Sequence, residues 1–401
     1  NKLYLLLFVL FFSSYFHSVI EEDPLPTLGD YSSASISLSG EYELGRLWLA
    51  MYRGSTKEHS DPLIRTYLED LIYRLSETSE VRDRRFEFII LEDKTINAFA
   101  APGGIIGINI GMFLNTEREG ELASVMCHEL AHLSQRHYAR SQNRNSPLAN
   151  ALMILGSIAV AAASRNPEAI LIAPAAMQQM SISYTRSNEK EADRIGFNNL
   201  VKAGFDPNDM TMMFQKMQDK YQNEDSEQFS YLMTHPLPSE RLTDMRIRSD
   251  GLKKTLKNSF RDNTDFYLIQ KRAQVWAEKD TNKLIKAFKK NQKTQNKNSQ
   301  ISNKYGLSLL YKRNKDFEKS FGILRELIKE VPNNLLLESS LMELHLAAGN
   351  YFEAISLGKN ILEIHENNYS ASMLLADAYI QNEKSEIAEK LLKDLAKDRQ
   401  T

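Results

Sequence analysis

The stretch "MCHELAHLSQRH" over residues 126–137 carries His128, Glu129 and His132 in the order H-E-x-x-H, with His137 five residues beyond His132. On a helix, positions i and i+4 share a face, so His128 and His132 can offer two ring nitrogens to one metal ion. Glu129 falls to the side, close enough to take a proton from a water on that ion without binding it. Three protein ligands with one open position define a catalytic zinc, whose water has a pKa lowered to about 7. The pattern therefore demands a third ligand. His137 lies on what reads as the same helix, Glu119 to Tyr138, and is expected to point away from the site. Cys127 adjoins His128 but points about 100° away on a helix, which suits buried filler better than a ligand.

A better source of the third ligand is "NEKEAD", where Glu189 and Asp193 stand at i and i+4. Glu189 can complete the shell and Asp193 can accept the second N–H of a ligating histidine. Taken alone, the same residues also read as a solvated ion-pair face shared with Lys190, Glu191 and Arg194.

The elements that must position these residues can be read on either side. Residues 41–52 and 61–76 show helical apolar spacing, and Asp61-Pro62 has the form of an N-cap followed by a first-turn proline. "FEFIIL" and "IIGINIG" read as a hairpin-like pair of strands whose turn is Pro102-Gly103-Gly104. "INAFAAP" (96–102) is the expected edge strand, to which an extended peptide could add. The charged helix in "YTRSNEKEADRIGFNNLVKAG" ends at Gly204. For the oxyanion of a peptide-cleavage reaction, Tyr184, Arg186 and Arg241 are the candidates.

The C-terminal third repeats itself. Ser320, Ala354 and Ala388 fill one slot, and 354 − 320 = 388 − 354 = 34; Leu307, Leu341 and Leu375 keep the same step. A 34-residue period of paired helices with Asn-Asn at the junction is the tetratricopeptide signature. Residues 275–288 form a degenerate earlier copy.

Bulk properties exclude little beyond nucleic acid. Lys and Arg number 50 against 52 Asp and Glu, so the formal net charge is −2, and the Lys-rich run between Lys253 and Lys304 reads as linker and solvated helix face. The single cysteine rules out an internal disulfide. Residues 1–18 read as a secretory signal, or an uncleaved anchor, which implies an exported body. The apolar block 147–178 is too short in either half to span a bilayer; it reads as packed or mobile helices, or as a surface making peripheral contact with a membrane.

"NAFAAPGG" before the motif helix, "HELAH" on it, and "R-x-x-E-x-E-A-D-R-x-G" about 55 residues later together resemble the gluzincin family of HtpX and the CAAX prenyl endopeptidases. The resemblance implies metal ligands His128, His132 and Glu189, with Glu191 left out, and catalytic carboxylates Glu129 and Asp193. It implies one Zn2+ per chain. "THPLPSERL" matches a loop in which a histidine can cap the metal, giving His235 a regulatory role and the enzyme low basal activity. Repeat-bearing periplasmic members of this family imply polypeptide substrates, chiefly outer-membrane β-barrel proteins, and docking of the repeats on the outer-membrane assembly machinery. The rival is a repeat-based chaperone or scaffold with a non-catalytic zinc domain; Glu129 argues against it, since a structural site needs four ligands and no adjacent base.

The expected fold is α+β and mostly helical. Residues 25–260 form a zincin-like metallopeptidase domain with a small sheet, and residues 265–401 an all-α tetratricopeptide solenoid.

Overall fold

The computed structural model describes residues 37–142, 184–223, 230–253, 263–291 and 296–398. The signal-like residues 1–18 and the apolar block 147–178 lie outside the described residues. Helix α1 (Leu38–Ser55) is capped by Ser37, whose hydroxyl accepts from the Gly40 amide. Helix α2 (Pro62–Glu77) is capped by Asp61, which accepts from the Leu63 and Ile64 amides, while Pro62 occupies a first-turn position where no amide proton is needed. Its Ile64, Leu68, Leu71, Ile72 and Leu75 recur at helical spacing and are buried.

Strands β1 (Glu87–Leu91), β2 (Ala98–Ala101) and β3 (Ile105–Asn109) form one sheet in the order β1-β3-β2. The Pro102-Gly103-Gly104 turn does join a hairpin, but its arms are β2 and β3, with Ala101 opposite Ile105. The expected antiparallel pairing of "FEFIIL" with "IIGINIG" is corrected: β1 runs parallel to β3, Glu87 opposite Ile105. The hairpin claims one side of β3 for β2, so β1 must take the other. Gly103 and Gly104 sit at φ 77° and 76°, which the turn requires, and a Cβ on Gly103 would fall 2.8 Å from the Glu41 carbonyl oxygen. Among the described residues, strand β2 is thereby an edge of the sheet.

Helix α3 (Ile110–Asn115) leads into the motif helix α4 (Glu119–Ser134), buried on nearly every side. This helix does not run to Tyr138 as its pattern suggests. Arg136 adopts φ 50°, and a separate helix α5 (His137–Gln142) follows. The left-handed conformation costs a non-glycine residue about 1 kcal/mol. It is held here because the Arg136 guanidinium is buried against Glu41, Nε to Oε2 at 2.9 Å.

Helix α6 (Arg186–Lys202) is capped by Thr185 and stops before Gly204, at φ 87°. It lies against α4 at its one glycine: a Cβ on Gly196 would stand 2.9 Å from the His128 nitrogen. Helices α7 (Asn208–Asn223), α8 (Ser230–Thr234) and α9 (Ser239–Lys253) close the unit.

The repeats are helix pairs. Helices α10 (Thr264–Ala277) and α11 (Thr281–Asn291) form the degenerate first pair. Then come α12 (Lys297–Arg313) with α13 (Phe317–Glu330), α14 (Leu335–Ala347) with α15 (Tyr351–Ile364), and α16 (Tyr369–Gln381) with α17 (Ser385–Asp398). Ser320, Ala354 and Ala388 are buried where the paired helices press together. The Asn-Asn junctions divide two tasks: Asn333 and Asn367 take φ 59° and 61°, while Asn334 and Asn368 cap the next helix through the Leu337 and Ala371 amides.

The array returns to the sheet-bearing unit. Arg272 of α10, fully buried, pairs with Asp61 at 2.6 Å and with Glu343 of α14 at 3.0 Å. The Ser370 amide of α16 donates to Thr66 Oγ1 of α2 at 3.1 Å. One apolar cluster runs without a break from Leu68 and Leu71 through Phe266 and Ile269 to Leu337 and Leu375.

Candidate metal centre

One turn of α4 brings His128 and His132 together, Nε2 to Nε2 at 2.9 Å. Glu189, in the first turn of α6, reaches both: Oε2 lies 3.5 Å from His128 Nε2 and Oε1 3.4 Å from His132 Nε2. His235 follows α8 and sets Nδ1 3.0 Å from Glu189 Oε1. All four side chains are buried, and their donor atoms lie within 4.8 Å of one another. Metal–ligand bonds of ~2.0–2.1 Å in a tetrahedron separate neighbouring donors by about 3.3 Å. The observed separations bracket that figure, and imidazole with carboxylate is a donor set that suits zinc. The residues fit the ion.

Around this cluster sits a layer of supporting groups. Asp193, one turn after Glu189, places Oδ1 3.0 Å from His128 Nδ1. Arg241 grips Asp193 with two bonds, Nε to Oδ2 at 2.6 Å and Nη2 to Oδ1 at 2.7 Å, and sets Nη1 2.8 Å from Glu189 Oε2. The same Nη1 donates to the Pro236 carbonyl, next to His235. Tyr184 lies flat on the His132 ring at 3.8 Å, and Tyr231 stacks on His235 at 4.6 Å.

Electrostatics follow from burial and these neighbours. Burial alone would raise the Glu189 carboxyl, but the His128 and His235 rings hold it far below the ordinary range. Burial would depress His128, yet the Asp193 and Glu189 carboxylates lift it to about 9. Burial, with His128 and His235 beside it, drives His132 well below its usual value, so that ring is neutral. Glu129 is raised by burial, against the pull of the His235 and His128 rings. A carboxylate in such a place has the make-up of a general base.

The sequence-derived residues thus divide clearly. His128, His132, Glu189 and His235 converge; Glu129 borders the cluster, with Oε1 3.7 Å from His235 Nε2; Asp193 stands behind His128. His137 is not in the donor set, but it does not point away either. The break at Arg136 folds it back, with Nδ1 2.8 Å from His132 Nδ1. Of the oxyanion candidates, Arg241 is tied to two carboxylates, Arg186 is exposed, and Tyr184 is buried against His132. Cys127 is buried filler, as expected.

Sequence reasoning missed Tyr231, whose buried hydroxyl has no hydrogen-bond partner among the described residues, and the Glu41–Arg136 pair. The i, i+4 placement of Tyr231 and His235 in "YLMTH" was the available signal for the first. A pair 95 positions apart left no local signal. A cleft lined by Ala100 and Ala101 of β2, His132, Arg136 and Tyr184 opens beside the edge strand.

Residues 62–249 match the model of peptidase family M48, and residues 345–401 match a tetratricopeptide-repeat model. A Vibrio cholerae protein provisionally named a beta-barrel assembly-enhancing protease is 36% identical over 325 residues, 79% of this chain and 66% of that protein. The beta-barrel assembly-enhancing protease of Escherichia coli K12 is 32% identical over 379 residues, 92% of this chain and 76% of its own length. The mitochondrial metalloendopeptidase OMA1 of Schizosaccharomyces pombe is 27% identical over 48% of this chain and 56% of that protein. The chain therefore spans about two thirds to three quarters of the bacterial relatives.

Proposed function

The chain belongs to peptidase family M48, with the beta-barrel assembly-enhancing proteases, and from that premise we propose that it is a latent zinc endopeptidase of the periplasm acting on outer-membrane β-barrel proteins. The observation that carries this reading is the buried set His128, His132, Glu189 and His235 with the buried Glu129 carboxylate at its side. His128, His132 and Glu189 would hold the ion, and His235 would fill the position a substrate needs. Zinc bound there supplies a Lewis acid for the scissile carbonyl and lowers the pKa of the attacking water.

The remaining steps belong to the protein. An extended peptide adds to edge strand β2 and lies over the cleft beside His132. Glu129 takes the proton of the attacking water and passes it to the leaving amine. Asp193, held by Arg241, orients His128 rather than meeting the substrate. Catalysis requires His235 to leave, and the Tyr231 ring and the Arg241 bond to Pro236 hold its loop in place.

The repeats offer a docking surface of the tetratricopeptide kind, here assigned to the outer-membrane assembly machinery. Residues 1–18 are assigned as the export signal. No helix among the described residues is long and apolar enough to cross a membrane.

One observation favours the rival scaffold reading: His235 already lies in the donor set. Zinc content and casein cleavage of the wild type and Glu129→Gln decide between them. The protease reading expects about one zinc in each, with Glu129→Gln lowering cleavage by ~10²–10⁴-fold. Bound zinc with equal, negligible cleavage in both, persisting when His235→Ala is added, would leave the scaffold.

A further inference from the structure

His137 is completely buried, is not a ligand, and is not used in the steps above. Its Nδ1 lies 2.8 Å from His132 Nδ1, and its Nε2 lies 3.1 Å from Glu191 Oε2. Arg140 Nη1 holds that same Glu191 oxygen at 3.1 Å. His132 turns Nε2 toward His128 and Glu189, so Nε2 is the metal-facing nitrogen. A ligating imidazole is neutral and keeps its proton on the other nitrogen. His132 therefore carries its proton on Nδ1 and donates it to His137 Nδ1. That leaves the His137 proton on Nε2, facing the Glu191 carboxylate. A single assignment of protons satisfies the whole chain.

We propose that His137 and Glu191 are positioning residues for the metal site, acting through His132. They fix the His132 tautomer and ring direction and raise its strength as a donor, as Asp193 does for His128. The two supports differ in kind: His128 rests on a buried carboxylate, whereas His132 rests on a neutral ring whose carboxylate is 28% exposed. Helix α6 thus supplies a ligand and the outer support of both histidines. The turn at Arg136 is what makes the second support reachable, since a continuous helix would carry His137 past His132.

The inference rests on the zinc reading of the cluster, and its test reads metal affinity rather than cleavage. Zinc dissociation constants would be measured on the full chain by competition with a chromophoric chelator, for wild type, His137→Ala, His137→Asn and Glu191→Gln. Cobalt absorption spectra and circular dichroism would accompany them. His137→Ala is expected to weaken zinc by ~10–100-fold and to shift the cobalt bands. His137→Asn is expected to recover most of that loss, because the amide oxygen accepts from His132 and the amide N–H donates to Glu191. Glu191→Gln, at a partly exposed position, is expected to weaken zinc by a smaller factor.

A folded His137→Ala with wild-type zinc affinity and an unchanged cobalt spectrum would reduce His137 to packing and overturn the proposal. So would unchanged affinity in Glu191→Gln if His137→Ala does not fold. A wild type that binds no zinc overturns the function reading itself, a result distinct from either.

Discussion

His235 touches the proposed base and the proposed ligand with one ring, Nε2 3.7 Å from Glu129 Oε1 and Nδ1 3.0 Å from Glu189 Oε1. Removing the ring frees Glu129 and opens one position while three donors remain. His235→Ala is expected to retain zinc and to raise basal casein cleavage by about tenfold or more, the factor for each ~1.4 kcal/mol of barrier removed. Metal analysis and a cleavage time course check this. An equally slow variant with full zinc would show that His235 does not restrain the site.

Gly196 is where α6 meets α4, and its absent side chain is what lets the two helices bring the proposed ligands together. In an exposed helix, glycine to alanine gains about 1 kcal/mol. Here the new methyl would meet the His128 nitrogen at 2.9 Å and the Cys127 carbonyl carbon at 3.0 Å, both backbone atoms that cannot step aside. Overpacking of about 1–3 kcal/mol wins. Gly196→Ala should lower the urea midpoint and, by displacing Glu189 and Asp193 together, weaken zinc.

Arg272 joins the repeats to the N-terminal unit, and its positive charge is surrounded by Asp61, Glu343 and the Tyr305 hydroxyl. Breaking a buried pair by removing one partner costs about 3–5 kcal/mol, because the other charges stay buried. Arg272→Ala should lose stability on that scale in chemical denaturation. Lys283→Ala, which removes an exposed pair with Glu278, should leave the midpoint unmoved.

Asp209 sets Oδ2 so close to Gly120, at the start of α4, that no side chain would fit there. Burial pushes its carboxyl up to about 7 against the pull of Arg118. The folded protein then keeps a proton that the unfolded chain releases near ~3.9. Stability from this group is full below the unfolded value and is lost as pH rises toward 7. Asp209→Asn, which cannot ionise, should melt above the wild type at about pH 8, with a narrower gap at about pH 5. A gap that does not depend on pH would show that this carboxyl titrates normally.

Much of the site was legible in local spacing. H-E-x-x-H on a helix fixes two nitrogens and an adjacent carboxylate because 3.6 residues per turn leave little choice. The 34-residue period is equally local, and it correctly gave the paired helices, their small buried residues and the Asn-Asn turns. Asp61-Pro62 and Pro102-Gly103-Gly104 also behaved as their backbone preferences dictate.

What only the tertiary structure decided were matters in which a distant group overrules local preference. Arg136 takes a left-handed turn that its own chemistry disfavours because Glu41, 95 positions earlier, holds its guanidinium in the interior. That turn ended the motif helix early and brought His137 to the back of His132. Glu191, indistinguishable in sequence from a solvated ion-pair residue, faces His137 for the same reason. Strand order was likewise beyond local reading, because period-two alternation says which face is buried but not which neighbour a strand selects. Arg241 reads in sequence as a candidate to stabilise the oxyanion, and the fold instead ties its guanidinium to Asp193, Glu189 and the Pro236 carbonyl. Local geometry writes its rules into spacing, whereas burial of charge is settled between residues that meet only when the chain closes.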